Sequence, residues 1–296
     1  MISKALSKLR ANPFVYGVFV YIVFYVFLRI GGEVFSLVTG PMGLDKGLSS
    51  ALSDVVGELF AMAALCFILY KTGKIGLLTK RGKGFFAALG VGGYCLLFTA
   101  YSAMRNFMGA DESGDLPINF TLTSFFYLFS FVLVGITEEI EARALVGQTF
   151  LEHYGLSREG IIKAAVFSGI IFGLMHLSNL TSQSLEDTIP QVITAASGGI
   201  LYGAIYFRTG NLWGVAFFHA IFDISLSLST AFFDGGVSAA ASSSPEGLSI
   251  MAILFSLFTA AADVAVALYL LRDEKIGEVA EAWPELAAGK SEEAQA

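Results

Sequence analysis

The chain has 296 residues, of which 55% are hydrophobic and only 15% charged, with a net charge of −7 and a mean hydropathy of +0.69. Soluble globular domains carry nearer a quarter charged residues, so this composition excludes an ordinary soluble enzyme. No basic–aromatic surface for nucleic acid and no glycine-rich phosphate loop is present.

A helix crossing the hydrocarbon of a bilayer needs about 20 mostly apolar residues. In chain order that criterion gives eight segments: 15–38, 51–70, 85–104, 121–149, 161–178, 190–207, 212–232 and 248–271. The expected fold is therefore all-α, a multi-pass membrane protein of about eight transmembrane helices in the cell membrane. The apolar runs are continuous and lack the alternation of a barrel strand. Lys4, Lys8 and Arg10 precede the first span and imitate a signal peptide. That span is too long for a signal h-region and has no small-x-small cleavage motif after it, so it reads as a retained helix. Cys66 and Cys95, in spans two and three, read as packing residues.

With the N-terminus cytoplasmic, eight spans return the C-terminus to the same side. Lys4, Lys8, Arg10, Lys71 through Lys83, Arg158, Lys163, Arg208 and Arg272 then lie inside, while the outside keeps only Lys46 and Arg105. The outer loops hold acids instead, among them Asp111, Glu112, Asp115, Glu186 and Asp187. The positive-inside rule asks for this split. The chain divides into residues 1–130 (helices one to three and the start of four), a core over 131–225, an outer loop and last helix over 226–271, and a cytoplasmic tail over 272–296. The Gly-, Ala- and Ser-rich stretch 235–247 reads as an outer loop, and the acidic tail as either a short helix or disorder. Gly199 and Gly203 form a small-xxx-small pair suited to close helix contact, within the fold or between copies.

An ionisable residue in mid-bilayer costs about 2.5–3.5 kcal/mol on insertion scales, so each one needs a reason. Arg29 and Glu33 are spaced for an ion pair along one helix face. Asp54 and Glu58 share a face near the outer end of span two, and Asp263 stands alone in span eight. The others converge. Counted from the inner helix ends, Glu138, His176 and Asp223 all lie about 18–20 Å deep, with His219 one turn closer to the cytoplasm. Two carboxylates and two imidazoles from three helices in one layer can support hydrolysis: Glu138 to take a proton from water, His176 to share or relay it, His219 to donate to an oxyanion. Glu139 and Arg143, four residues apart, suit a buried ion pair supporting the site. Glu141 reads as a solvated charge toward the cytoplasmic mouth, and His153 as incidental.

The order Glu138-Glu139-x-x-x-Arg143, then Phe172-x-x-x-His176, then His219-x-x-x-Asp223, each in its own span, resembles the CPBP intramembrane proteases. That family includes CAAX prenyl endopeptidases of the Ras-converting-enzyme type and bacteriocin-processing or immunity proteins. The resemblance covers about Phe131 to Ser225. It implies Glu138 as the water-activating base with His176 beside it, His219 and Asp223 at the oxyanion, and Glu139, Arg143 and Phe172 supporting site and substrate. It also implies a cavity open to the cytosolic leaflet and a metal-free reaction without cofactor. The substrate would be a membrane-associated peptide or protein, a prenylated C-terminal peptide being the family's example. Asp223 stands where the prenyl-protein members have Asn. An ionised Asp cannot donate to an oxyanion, so the expectation here is that it orients His219 and keeps it charged. Three other readings of the same residues remain: a zinc protease using Glu138, His176 and His219 as ligands, a non-catalytic scaffold or immunity protein that binds a peptide or partner, and a transporter with the cluster as a proton relay, for which the sequence lacks the repeated halves.

Overall fold

The computed structural model describes residues 2–110, 117–234 and 250–293. Asp111, Glu112, Asp115 and the 235–247 stretch lie outside the described residues. In chain order the helices are α1 (Ile2–Arg10), α2 (Pro13–Thr39), α3 (Lys46–Lys71), α4 (Phe85–Val91), α5 (Gly93–Ala110), α6 (Leu122–Glu139), α7 (Gln148–Tyr154), α8 (Arg158–Met175), α9 (Leu185–Thr209), α10 (Leu212–Leu226), α11 (Leu228–Phe232), α12 (Ile250–Leu270), α13 (Ile276–Ala282) and α14 (Pro284–Glu293). A π-helical segment, Ile140–Gly147, joins α6 to α7.

The helix starts follow local chemistry. Asn12 accepts from the Phe14 and Val15 amides, with Pro13 in the first helical position, where its missing N–H costs nothing. Thr121 and Ser124 cap each other reciprocally at the start of α6. Ser157, Ser184 and Asn211 cap α8, α9 and α10 by accepting from the amides of Gly160, Asp187 and Gly214.

Every apolar segment of the sequence is helical, but not every one is a straight span. Among the described residues, six helices are long and apolar enough to cross a membrane, and α4 with α5 makes a seventh only as a pair bent by 73°. The expected span 212–232 divides into the 15-residue α10 and the short α11, broken at Ser227. Of the eight expected spans, six or seven thus meet the length-and-composition test and 212–232 falls short of it in one unbroken piece, because length of apolar run does not reveal a bend or break inside it. Large apolar side chains point outward along the spans, including Leu37 (77% exposed), Leu97 (75%) and Phe258 (73%). Water would not tolerate such a surface on a monomer, whereas lipid does. The protein is an all-α, multi-pass membrane protein.

Close helix contacts place the site. A Cβ on Gly135 would stand 2.6 Å from the Ala220 amide nitrogen, so α6 and α10 touch backbone to backbone beside Glu138 and His219. A Cβ on Gly199 would stand 2.9 Å from the Gly169 Cα. The small-residue pair on α9 is thus used inside the fold, against α8.

The two ends of the bundle differ. At the basic end, Arg10 and Lys74 both contact Glu152 at 2.6 Å. The tail forms α13 and α14 and folds back there. Trp283 is fully buried, donates from Nε1 to the Phe207 carbonyl at 2.8 Å, and lies under the Lys80 ammonium. Arg208 contacts Glu278 at 2.8 Å, and hydrogen bonds from Arg208 and Lys275 pull the Glu278 carboxyl down to about 2. Beneath this strap the core is packed solid with Leu145, Phe150, Leu151, Ile161, Tyr206 and Phe207.

Candidate active site

The clearest fixed point is Arg143. Fully buried, it donates from Nε to Glu139 Oε2 at 2.7 Å, from Nη2 to Glu139 Oε1 at 3.3 Å, and from Nη1 to the Gly199 carbonyl at 2.9 Å. Its guanidinium also lies 5.4 Å from the centre of the Phe172 ring. A fork-to-carboxylate pair of this kind fixes direction as well as charge. Glu139, so held, accepts from His219 Nδ1 at 3.0 Å. The orienting contact on His219 is therefore Glu139 on α6, rather than Asp223 one turn along α10.

Since Nδ1 points at a carboxylate and must donate, His219 Nε2 faces the other way. It lies 3.6 Å from Glu138 Oε2 and 3.5 Å from Asp223 Oδ2. These gaps are longer than direct hydrogen bonds. His176 sits where α8 ends, and its Nδ1 faces the Phe172 carbonyl at 3.0 Å. A carbonyl only accepts, so this nitrogen carries a proton, and Nε2 is the acceptor whenever the ring is neutral. The Phe172 ring meets both imidazoles edge-on, at 5.0 Å from His176 and 5.8 Å from His219. Of the residues singled out by the sequence, Glu138, Glu139, Arg143, Phe172, His219 and Asp223 are thus brought into one cluster, with His176 joined to it through Phe172.

Two cavities meet at this cluster. One, of about 490 Å³, is lined by Glu138, Glu58 and Tyr25 among others. The second, of about 670 Å³, is lined by rings such as Phe98, Phe222 and Phe255 and by polar groups such as Ser102, Asn106 and Thr194. His176, Gln191, His219, Asp223 and Leu226 line both. Among the described residues no group of three or more His, Cys, Asp or Glu side chains is arranged to hold a metal ion.

Other expectations are corrected. Glu141 is not solvated; it is fully buried, and neither carboxyl oxygen has a partner among the described residues. The π segment that begins at Ile140 adds a residue per turn and re-phases the helix, which an α-helical count cannot anticipate. Asp263 is not alone: Tyr94 Oη donates to it at 3.1 Å and Ser197 Oγ at 2.9 Å, in the wall of the larger cavity. Glu58 is buried in the wall of the smaller cavity, whereas Asp54 on the same helix is exposed. Arg29 and Glu33 lie on the outer surface of α2, 3.6 Å apart and largely exposed. Gln191, which lines both cavities and accepts from Asn179 at 2.9 Å, carries no charge and so gave no signal.

Residues 120–225 match a family model described as type II CAAX prenyl endopeptidase, Rce1-like. The matched stretch is just over a third of the chain. Searches of curated proteins and of solved structures returned no match. The match begins at the start of α6 and ends within α10, so it contains every residue of the cluster described above. A CAAX protease of this family is an integral membrane peptidase, and the helical bundle agrees with that class.

Proposed function

We propose that the protein is an intramembrane endopeptidase that hydrolyses a peptide bond of a membrane-associated substrate with water activated by Glu138 and His176. The observation that carries this reading is the junction of the two cavities, where His219, pinned through Nδ1 to the Glu139–Arg143 pair, turns Nε2 toward Glu138 and Asp223. In this reading the smaller cavity holds the water and the larger one the substrate chain.

The water oxygen attacks the carbonyl carbon while Glu138 takes the water proton. Charge moves to the former carbonyl oxygen, and His219 stabilises it through an Nε2–H that requires the ring to carry both protons. A donor fixed beforehand at this point is worth about 10²–10³-fold in rate. The C–N bond then breaks as the proton held by Glu138 passes to the leaving nitrogen, directly or through His176 Nε2. Free acid and free amine result, so atoms and charge balance without a covalent enzyme intermediate. Arg143 and Glu139 touch no reacting atom here; they position His219.

The substrate class we infer is a lipidated or otherwise membrane-bound peptide, because the larger cavity sets rings such as Phe98, Phe222 and Phe255 beside hydrogen-bonding groups such as Asn106 and Thr194, which suits an apolar group carried on a peptide. The test is cleavage of a farnesylated C-terminal peptide by purified protein, beside its unmodified control, with products read by mass. New C-terminal acid and new amine from the lipidated peptide are the expected result. Binding of both peptides without any product would favour a non-catalytic partner-binding role.

A further inference from the structure

Two acids line the smaller cavity alone, Glu138 and Glu58, whereas Asp223, His176 and His219 line the larger one as well. Glu58 stands on α3, outside the matched stretch 120–225. We propose that Glu58 binds the attacking water, accepting one of its hydrogens while Glu138 takes the other. The proposal deepens the protease reading and rests on it.

Place is the first observation. Glu58 precedes the end of α3 at Lys71 by thirteen residues, about 20 Å of helix, so the acid lies mid-span, where it is expensive to insert and needs a task. The charges of Glu138 and His219 both reach it, which sets it at the reacting end of the cavity. The second observation is an unmet hydrogen-bonding need. Glu58 is 4% exposed, and its Oε2 is buried without a hydrogen-bond partner among the described residues. Thr137 Oγ1, next to Glu138 on α6, lies beside it without completing a bond and is unpartnered as well. A buried polar atom in that state is destabilising, so a fold that keeps one calls for a polar occupant beside it. The third is rigidity. A Cβ on Gly31 would stand 2.9 Å from the Gly57 Cα, and one on Gly57 would stand 2.9 Å from the Leu28 carbonyl oxygen. Thus α2 and α3 touch backbone to backbone at the residue before Glu58, which fixes the helix that carries the carboxyl.

The chemistry asks for a second acceptor. Water attacks through an oxygen lone pair aimed at the carbonyl carbon, so both of its hydrogens must point away from that carbon. A single acceptor leaves the water free to turn about one hydrogen bond, whereas two acceptors fix the lone pair in direction. Glu138 is the first acceptor and becomes protonated. Glu58 is the second; it holds the remaining hydrogen, which stays on the oxygen as the bond to carbon forms. His176, at the junction of the cavities, is left to pass the proton from Glu138 to the leaving nitrogen. Glu58 neither gains nor loses a proton, so atoms and charge balance as they do without it.

The experiment compares Glu58→Gln and Glu58→Met with the wild type, by cleavage of the farnesylated peptide and by melting in detergent. Gln keeps a carbonyl oxygen that accepts, whereas Met keeps the length of the side chain and accepts only weakly. A misplaced reactant costs about 10²-fold. Glu58→Met should therefore lower kcat and kcat/KM together by about that factor with KM unchanged, while Glu58→Gln retains most of the wild-type rate. Glu58→Met should also melt no lower than the wild type, because it removes an unpartnered buried polar atom. An acid that serves only the fold gives another pattern: Glu58→Met melts lower or does not fold, and lost turnover follows lost stability. That pattern overturns the proposal. So does a folded Glu58→Met protein with near-wild-type turnover. Glu58→Gln as slow as Glu58→Met overturns it too, since acceptance would then not be what Glu58 supplies. A wild type that cleaves no peptide removes the protease reading and this role with it; an active wild type with any of the contrary patterns removes Glu58 alone.

Discussion

Within the cluster, Glu138 and Glu139 are adjacent in sequence yet face different duties. Glu139 is fully buried with its oxygens shared between Arg143 and His219, whereas Glu138 lines a cavity and approaches His219 only at 3.6 Å. The two Gln variants should therefore separate. Glu139→Gln leaves Arg143 a buried charge without its partner, a class of change that costs about 3–5 kcal/mol. We expect a clear drop in melting temperature in detergent together with lost turnover. Glu138→Gln should melt close to the wild type. Asp223 gives a second contrast. Because Glu139 already orients His219, Asp223→Asn should keep much of the turnover, with a changed pH profile as one carboxyl leaves the cluster. Asp223→Ala should lose more, having no polar atom 3.5 Å from Nε2. Complete loss in a folded Asp223→Asn protein would mean that the negative charge itself is needed. At this scale the sequence was readable where polarity is anomalous: charged groups in apolar runs announce themselves, and depth counting grouped them. It could not tell which carboxyl would hold His219, nor that Glu141 faces inward, because the first depends on how helices rotate and the second on a π turn with no composition of its own.

At the scale of elements, the approach of α6 to α10 decides whether the imidazole reaches its carboxylates. Gly135 permits that approach, so Gly135→Val should press on the Ala220 backbone and push α10 away. Overpacking of this kind costs about 1–3 kcal/mol. The expected signature is turnover lost more steeply than stability, measured by peptide cleavage and melting on the same preparation. The strap α13 makes a prediction in pH. Glu278 is depressed from 4.5 to about 2, so its contribution to docking is complete above 4.5 and is lost as pH falls toward about 2. In a Trp213→Phe protein, Trp283 is the remaining tryptophan. Its emission should shift to that of an exposed indole between those two values; an unchanged spectrum down to pH 2 would show that the strap does not depend on Glu278. Element existence was legible from apolar run length and caps, while the bend between α4 and α5 and the break at Ser227 were not, since apolar composition continues across both.

For the whole molecule, composition alone sufficed for the membrane class, and three short motifs in order led to the same family description that residues 120–225 match. The cavities were beyond reach of any sequence count, because their walls are mostly uncharged residues such as Gln191, Phe98 and Phe255 drawn from separate helices. Metal dependence also belongs at this scale. Turnover should survive exhaustive chelation, with no stoichiometric zinc by elemental analysis. Activity lost to phenanthroline and restored by zinc would assign Glu138, His176 and His219 as ligands instead. The most direct test of the central claim is the rate of peptide cleavage by Glu138→Gln against wild type, with matched melting curves. A general base contributes about 10²–10⁴-fold, and a loss of that size in a protein as stable as the wild type is the predicted result. Near-wild-type cleavage by the folded variant would contradict the account and remove Glu138 from the chemistry.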